Sequence, residues 1–268
     1  MTNAVSVTAL NKSFGTPDNQ KTILENLEFS LAQGRSLVIV GGSGTGKSVL
    51  LKCLLGLLKP DAGHIEIFGA SIDDSIDRMS MLFQAGALFD SLTIWENIAF
   101  KGLFGTGVLK NGARRISRSE AKSLAKAKLK DVDLDAAVAD LYPSELSGGM
   151  QKRAALARAV AFEPELVFFD EPTTGLDPVR AAQINDLIAR LVKNLGASTI
   201  TITHDMSSAT TIADEVALLK AGRFVWKGAP TELFTADQPD LRAFIDPITK
   251  QTTGTNMPSG DANKGISL

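Results

Sequence analysis

Residues 41–48 of this 268-residue chain read Gly41-Gly42-Ser43-Gly44-Thr45-Gly46-Lys47-Ser48, the pattern G-x-x-x-x-G-K-[ST]. Glycines at that spacing let successive backbone N–H groups turn inward as a nest for phosphate oxygens, and a helix starting there adds its positive end. Lys47 carries the charge to neutralise β- and γ-phosphates, and the Ser48 hydroxyl can ligate Mg²⁺. A nucleoside triphosphate is the expected ligand. An unliganded glycine-rich turn is the bland alternative, but the apolar run SLVIV before the pattern and the helix-like stretch after it favour function. Chemistry on a triphosphate also needs an acid at the end of a buried strand, and Leu166-Val167-Phe168-Phe169-Asp170-Glu171 supplies two. Asp170 is placed to hold Mg²⁺ through water. Glu171 is placed to polarise an attacking water as general base. Such acids also cap helices, so the pair gains its meaning from the upstream loop.

The elements that must hold these groups alternate along the chain. Ser36–Val40, Leu166–Phe169 and Ser198–Thr203 are unbroken β-branched and aromatic runs, each followed by a helical pattern (49–58, 179–195, 206–213). That alternation predicts an α/β fold with a parallel core sheet. Alternating strands near 5–10, 24–31 and 64–68, punctuated by Gly15, Gly34, Gly63 and Gly69, predict a flanking antiparallel β-layer. From about 92 to 141 the strand signal stops and a helical insertion is expected. Its basic residues between Lys101 and Lys130 read first as a solvated face rather than a lipid or partner site.

Composition bounds the rest. With 28 basic against 30 acidic side chains and a net charge of −2, a nucleic-acid partner bound by bulk electrostatics is not expected. The longest apolar run, 49–58, is short of a membrane span and contains Lys52. No basic-then-apolar leader is visible at the N-terminus, and the single cysteine, Cys53, fits a reducing compartment. From Asp246 the chain turns to Thr, Gly, Asn, Ser and Pro, so 246–268 is expected to be a flexible tail after one domain over 1–245.

Between the two sites lies Leu146-Ser147-Gly148-Gly149-Met150-Gln151, a second glycine-serine helix start. With it the sequence resembles the ATP-binding-cassette (ABC) ATPases, whose LSGGQ-like signature meets the γ-phosphate of ATP held by the opposite subunit. The resemblance covers roughly residues 5–235 and runs in order. Gln84 in SMLFQ resembles the Q-loop, Gly175-Leu176-Asp177 the D-loop, and His204 after STITIT the switch histidine; Phe14 stands where the family stacks an aromatic on adenine. It implies a P-loop NTPase of ABC type with a helical subdomain at about 92–162. Glu171, His204 and Gln84 are then catalytic, and Ser48, Gln84 and Asp170 are Mg²⁺ ligands. Phe14, Gly41 to Ser48, Ser147, Gly148, Gly149 and Asp177 are ATP contacts. Met150 replaces the usual signature glutamine, which leaves a side-chain role at that position in doubt. His64 is read as structural and Cys53 as core. Because the family's signature lies away from its own chain's P-loop, a head-to-tail homodimer sandwiching two ATPs is implied.

Three stretches, 41–63, 80–100 and 143–178, are similar to the ATPases of Mce-type phospholipid transporters, the MlaF-like group, notably in Val49 after GKS, in FQAGALFDSLT and in SGGM. That likeness implies an MlaE-like permease, a periplasmic MCE-domain (MlaD-like) protein and a STAS-domain (MlaB-like) protein as partners. It places the chain at the cytoplasmic face of a Gram-negative inner membrane, held there by the permease. Two readings stay open beside it: the ATPase of another importer for amino acids or metals, and a soluble non-transport ABC protein.

Overall fold

The computed structural model describes residues 2–16, 19–105, 107, 109, 112 and 115–245, so the expected tail lies outside the described residues. Six strands form the central sheet: β3 (Ser36–Val40), β5 (Met79–Leu82), β6 (Leu166–Asp170), β7 (Ser198–Thr203), β8 (Glu215–Lys220) and β9 (Arg223–Gly228). Their order is β5-β6-β7-β3-β8-β9, with every pairing parallel except β8 to β9. The residues of β3 are all buried, as expected of strands covered on both faces. The second sheet, β2-β1-β4, is antiparallel and comprises β1 (Asn3–Thr16), β2 (Asn19–Ala32) and β4 (Ala62–Ile67). Both expected layers are present, although β1 and β2 run well beyond their apolar segments.

Alternation along β3, β6 and β7 divides the core in two. Val38, Val40, Val167 and Phe169 face helices α5 (Arg118–Asp131), α6 (Gly148–Val160), α7 (Pro178–Leu195) and α8 (Met206–Ile212). Leu37, Ile39, Leu166 and Phe168 face α1 (Lys47–Leu54) and the antiparallel sheet. Cys53 is buried in this second half, and burial pushes its thiol up to about 11, so it packs as an inert core residue. Short helices α2 (Ile72–Ser75), α3 (Ile94–Ile98) and α4 (Phe100–Phe104) lie in the connections.

The first helix departs from the 49–58 expected of its apolar pattern, starting at Lys47 and ending at Leu54. Gly56 explains the early stop. It sits at φ +71, and the N–H groups of Gly56 and Leu57 cap the Cys53 and Lys52 carbonyls in a Schellman closure. The insertion is helical as read. In α5 a capping box between Ser117 and Glu120 starts the helix, and Ala121, Ala125 and Leu129 face the core. Several of its cations are neutralised internally: Arg118 by Glu96, Lys122 by Asp140 and Lys128 by Asp131. His64 is exposed, 3.6 Å from the Glu66 carboxylate, and lies on β4, away from the core. No helix among the described residues is long and apolar enough to cross a membrane.

Candidate active site

Parallel pairing in register brings the carboxyl ends of five strands to one rim, where open α/β sheets hold their ligands. Phe169 is level with Leu82 and Thr201, Asp170 with Ile202, and Val40 with Thr203. Gln84, Asp170, Glu171, His204 and Gly41 therefore leave the sheet side by side. Ser147, Gly148 and Gly149 do not join them from β-strand ends; they open α6, which packs on α3, α5, α7 and β5.

The phosphate loop is wedged between β2 and the β8–β9 turn. Gly46, at φ +106, approaches Ile23 and Leu24 so closely that a Cβ would lie 3.0 Å from each, and a Cβ on Gly41 would collide with the Leu219 carbonyl oxygen. Gly44, at φ +75, faces open space. Glycine is thus required where the loop is clamped and where its backbone turns outward. Lys47 folds over the loop, its Nζ donating to the Gly41 and Gly42 carbonyls at 2.6 and 2.9 Å. Burial lowers its pKa from the ordinary lysine value, with the Glu171 and Asp170 charges pulling it back up. A desolvated ammonium folded over a glycine-rich loop fits a phosphate chain. Ser48 is exposed in the first turn of α1. Phe14 is 45% exposed with the Lys12 ammonium 5.4 Å from its ring centroid, and the strand it stands on pairs Lys12 with Leu24 beside Gly46. An exposed aromatic at the loop's edge is a stacking surface.

The acids differ in setting. Burial first, and the Glu171 charge second, raise the Asp170 carboxyl above the usual aspartate range, against the pull of Lys47 and Lys52. Glu171 occupies left-handed backbone at φ +48, a conformation costing a non-glycine residue roughly 1–2 kcal/mol. Its surroundings hold it there. Glu171 N–H donates to the Ile202 carbonyl at 2.8 Å, Thr174 N–H to the Glu171 carbonyl at 3.2 Å, and the Thr174 hydroxyl to Oε2 at 3.1 Å. His204 Nδ1 lies 2.8 Å from the same Oε2; the histidine is 65% exposed and the glutamate 15%. Nδ1–H is placed to donate to the carboxylate, which fixes the ring beside Glu171. Asp205 fastens the histidine's loop by capping α8 through the N–H groups of Ser207 and Ser208, and it lies 3.4 Å from the Thr173 hydroxyl.

The remaining expected contacts lie apart from this rim. Ser147 caps α6, accepting from the Met150 N–H at 3.4 Å, and a Cβ on Gly148 or Gly149 would meet nothing within 4 Å. Met150 packs its side chain against the core, so it turns away from that open end. Asp177 caps α7, accepting from Arg180 N–H at 3.0 Å. Gln84 is exposed after β5. Sequence reasoning missed Thr174 and two cations of α6. Lys152 reaches the Pro172 and Thr174 carbonyls, and Arg158 donates to those of Gly86 and Ala87 at 2.7 Å each, just beyond Gln84. Neither has a motif to mark it; each is one basic residue in an otherwise Ala-rich helix.

Comparison with known proteins agrees with this geometry. The family described as ABC transporter matches residues 24–174, which spans the phosphate loop, the Ser147 helix start and the Asp170–Glu171 strand end. The chain belongs to the ABC transporter family. Its fold, as an ABC ATPase, superposes on the dimeric post-hydrolysis ATP-binding cassette MJ0796 bound to ADP and Pi, with a TM-score of 0.72 and 28% identity over 84% of this chain and 98% of that one. Among curated relatives, the "Intermembrane phospholipid transport system ATP-binding protein MlaF" of Escherichia coli K12 is 35% identical over 249 residues, covering 90% of this cassette and 89% of MlaF. The "Probable ribonucleotide transport ATP-binding protein mkl" of Mycobacterium leprae is 36% identical over 251 residues. That match takes in 91% of this cassette and 69% of the mycobacterial protein.

Proposed function

We propose that this chain is the ATP-hydrolysing subunit of an ABC transporter that moves phospholipid across a Gram-negative envelope. The observation that carries the chemistry is the Glu171 carboxylate, held in left-handed backbone at the rim with His204 Nδ1 at 2.8 Å. Residues 41–48 hold the phosphates, Phe14 stacks on the base, and Ser48, Asp170 and Gln84 offer the hard oxygen donors that suit Mg²⁺. The bound metal supplies charge neutralisation at the phosphate oxygens. Lys47 exchanges its two loop carbonyls for phosphate oxygens. Glu171 accepts the proton of a water, and His204 orients that carboxylate. Ser147, Gly148, Gly149 and Asp177 complete the site of a second copy, so the working unit is a head-to-tail homodimer.

The ATPase unit runs over 1–245 with its helical part at about 92–162. Beside Gln84 an apolar groove of about 440 Å³ runs between β5 and this helical part, lined by Met81, Phe83, Phe89, Phe100 and Phe162. Its aromatic walls and its continuity with Gln84 suit a helix of an MlaE-like permease, which holds the ATPase at the cytoplasmic face of the inner membrane. An MCE-domain (MlaD-like) and a STAS-domain (MlaB-like) protein complete the assembly. Similarity to MlaF over nearly its whole length supports phospholipid as the substrate class.

Glu171→Gln is expected to lower ATP turnover by about 10²–10⁴-fold while preserving ATP-driven dimerisation; unchanged turnover removes Glu171 from its role. Purification from native membranes is expected to yield an MCE-domain partner and bound phospholipid. Stimulation of ATPase activity by a ribonucleotide other than ATP and not by lipid would point instead to the substrate class in the mycobacterial relative's name.

A further inference from the structure

The turn that presents Glu171 is fastened from a distant element. Lys152 stands in the second turn of α6, the helix opened by Ser147-Gly148-Gly149. Its Nζ donates to the Pro172 carbonyl at 2.9 Å and to the Thr174 carbonyl at 2.6 Å, the backbone immediately following Glu171. Lysine ordinarily keeps its ammonium in water or beside an acid. Here the partners are two peptide carbonyls. Burial lowers the pKa of the ammonium, and the Glu171 charge offsets part of that. The carbonyls that Lys152 takes belong to a turn which must keep a non-glycine residue at φ +48, and such backbone persists only where its surroundings over-determine it. The other fastenings, from Ile202 and Thr174, come from β7 and from the turn itself. Lys152 adds one from α6.

We propose that Lys152 is a positioning residue for Glu171, holding the Pro172–Thr174 turn so that the carboxylate keeps its place relative to the helix that starts at Ser147. The inference rests on the reading of Glu171 as the base. It also has a consequence for the homodimer. The Ser-Gly-Gly end of α6 completes the partner's site, while Lys152 on the same helix sets the base of its own site, so α6 joins the two sites mechanically.

Steady-state ATPase kinetics of the full chain, normalised to nucleotide-binding sites by equilibrium titration, test this. Lys152→Met is expected to lower kcat about 10- to 100-fold with KM and ATP affinity within about twofold of the parent. Lys152→Arg, which keeps donors within reach of both carbonyls, is expected to recover most of that loss. In a Glu171→Gln background, Lys152→Met is expected to add almost nothing, because the group it positions is already gone. A kcat per site within about twofold of the parent, a loss that falls on ATP affinity, or an undiminished further loss in the Glu171→Gln background each overturns the proposal. If Lys152→Met does not fold, Lys152→Gln decides: its single shorter donor predicts a reduced kcat per site with unchanged affinity, and parental kcat overturns the assignment. Glu171→Gln alone keeps the two claims separable. Retained turnover there removes the base itself, whereas lost turnover there with full activity in Lys152→Met removes only the positioning role.

Discussion

Two helices of this molecule begin in glycine and serine, and they are built to opposite plans. The start of α1 is enclosed: Gly41 and Gly46 are pressed against Leu219, Ile23 and Leu24, and Lys47 bonds back onto its own loop. The start of α6 is open, with space beside Gly148 and Gly149 and only the Ser147 cap closing it. Both ends present unpaired N–H groups and a positive dipole. Under the proposed function, the first is an anion site within one chain and the second awaits another surface. An enclosed nest with its own cation needs nothing else to hold phosphate. An open helix end without a cation over it acquires comparable value only when another subunit brings the phosphate to it.

The sharpest way to break this contrast is at Lys47. Lys47→Ala is expected to weaken ATP binding by about 100-fold or more, since a charge-assisted contact in a desolvated nest is lost; equilibrium binding measures it, and parental affinity would end the claim that the nest is self-sufficient. A matched pair of glycine substitutions comes next. Gly46→Ala places a side chain at φ +106 against Ile23 and Leu24, so it should cost roughly 1–3 kcal/mol of stability and impair nucleotide binding. Gly149→Ala meets nothing in its own chain and should leave thermal stability within about 0.5 kcal/mol. It should nonetheless reduce dimerisation and turnover by about tenfold, because its Cβ projects where the partner docks. Equal effects of the two on the unfolding temperature would erase the distinction.

The enclosed site was the more legible of the two. Gly41 to Ser48, Asp170, Glu171 and His204 carry their proposed roles in residue type and in position after an apolar strand, and the parallel register sets them on one rim. The helical pattern over 179–195 also fell within one residue of α7, which Asp177 and Gly196 cap. What escaped was decided by distant packing. Lys152 and Arg158 look like surface residues of an Ala-rich helix, and only the fold lays Pro172, Thr174, Gly86 and Ala87 under them. Asn97 is similar. It reads as one polar position in the insertion, yet it is fully buried and bonds to the backbone of Phe89, Leu92 and Thr93, shaping the loop beyond Gln84. Hydrogen bonds to backbone leave no trace in side-chain patterns, because every residue offers the same carbonyl.

The smallest effects concern stability without ligand, and here the two helix starts should respond with opposite sign. At α6, Ser147→Ala removes the cap on Met150 and should cost about 1 kcal/mol. At the enclosed site, Asp170 carries a carboxyl whose folded-state pKa is raised by burial and by Glu171. A raised folded pKa means the fold prefers the protonated acid, so its contribution is favourable below the unfolded value near 3.8 and is lost as pH rises through the folded value. At neutral pH the ionised Asp170 is a net cost to the fold. Asp170→Asn keeps the shape and removes that charge, so it should raise the ligand-free stability at pH 7, read as an upward shift in Tm. The gain should shrink as pH falls through the raised folded-state pKa, where the wild-type carboxyl binds its proton. Thermal unfolding of both variants across pH 4–8 measures this. A destabilised Asp170→Asn at pH 7 would show that the carboxylate is satisfied by the chain alone, and the strained, cation-seeking character assigned to the enclosed site would have to be given up.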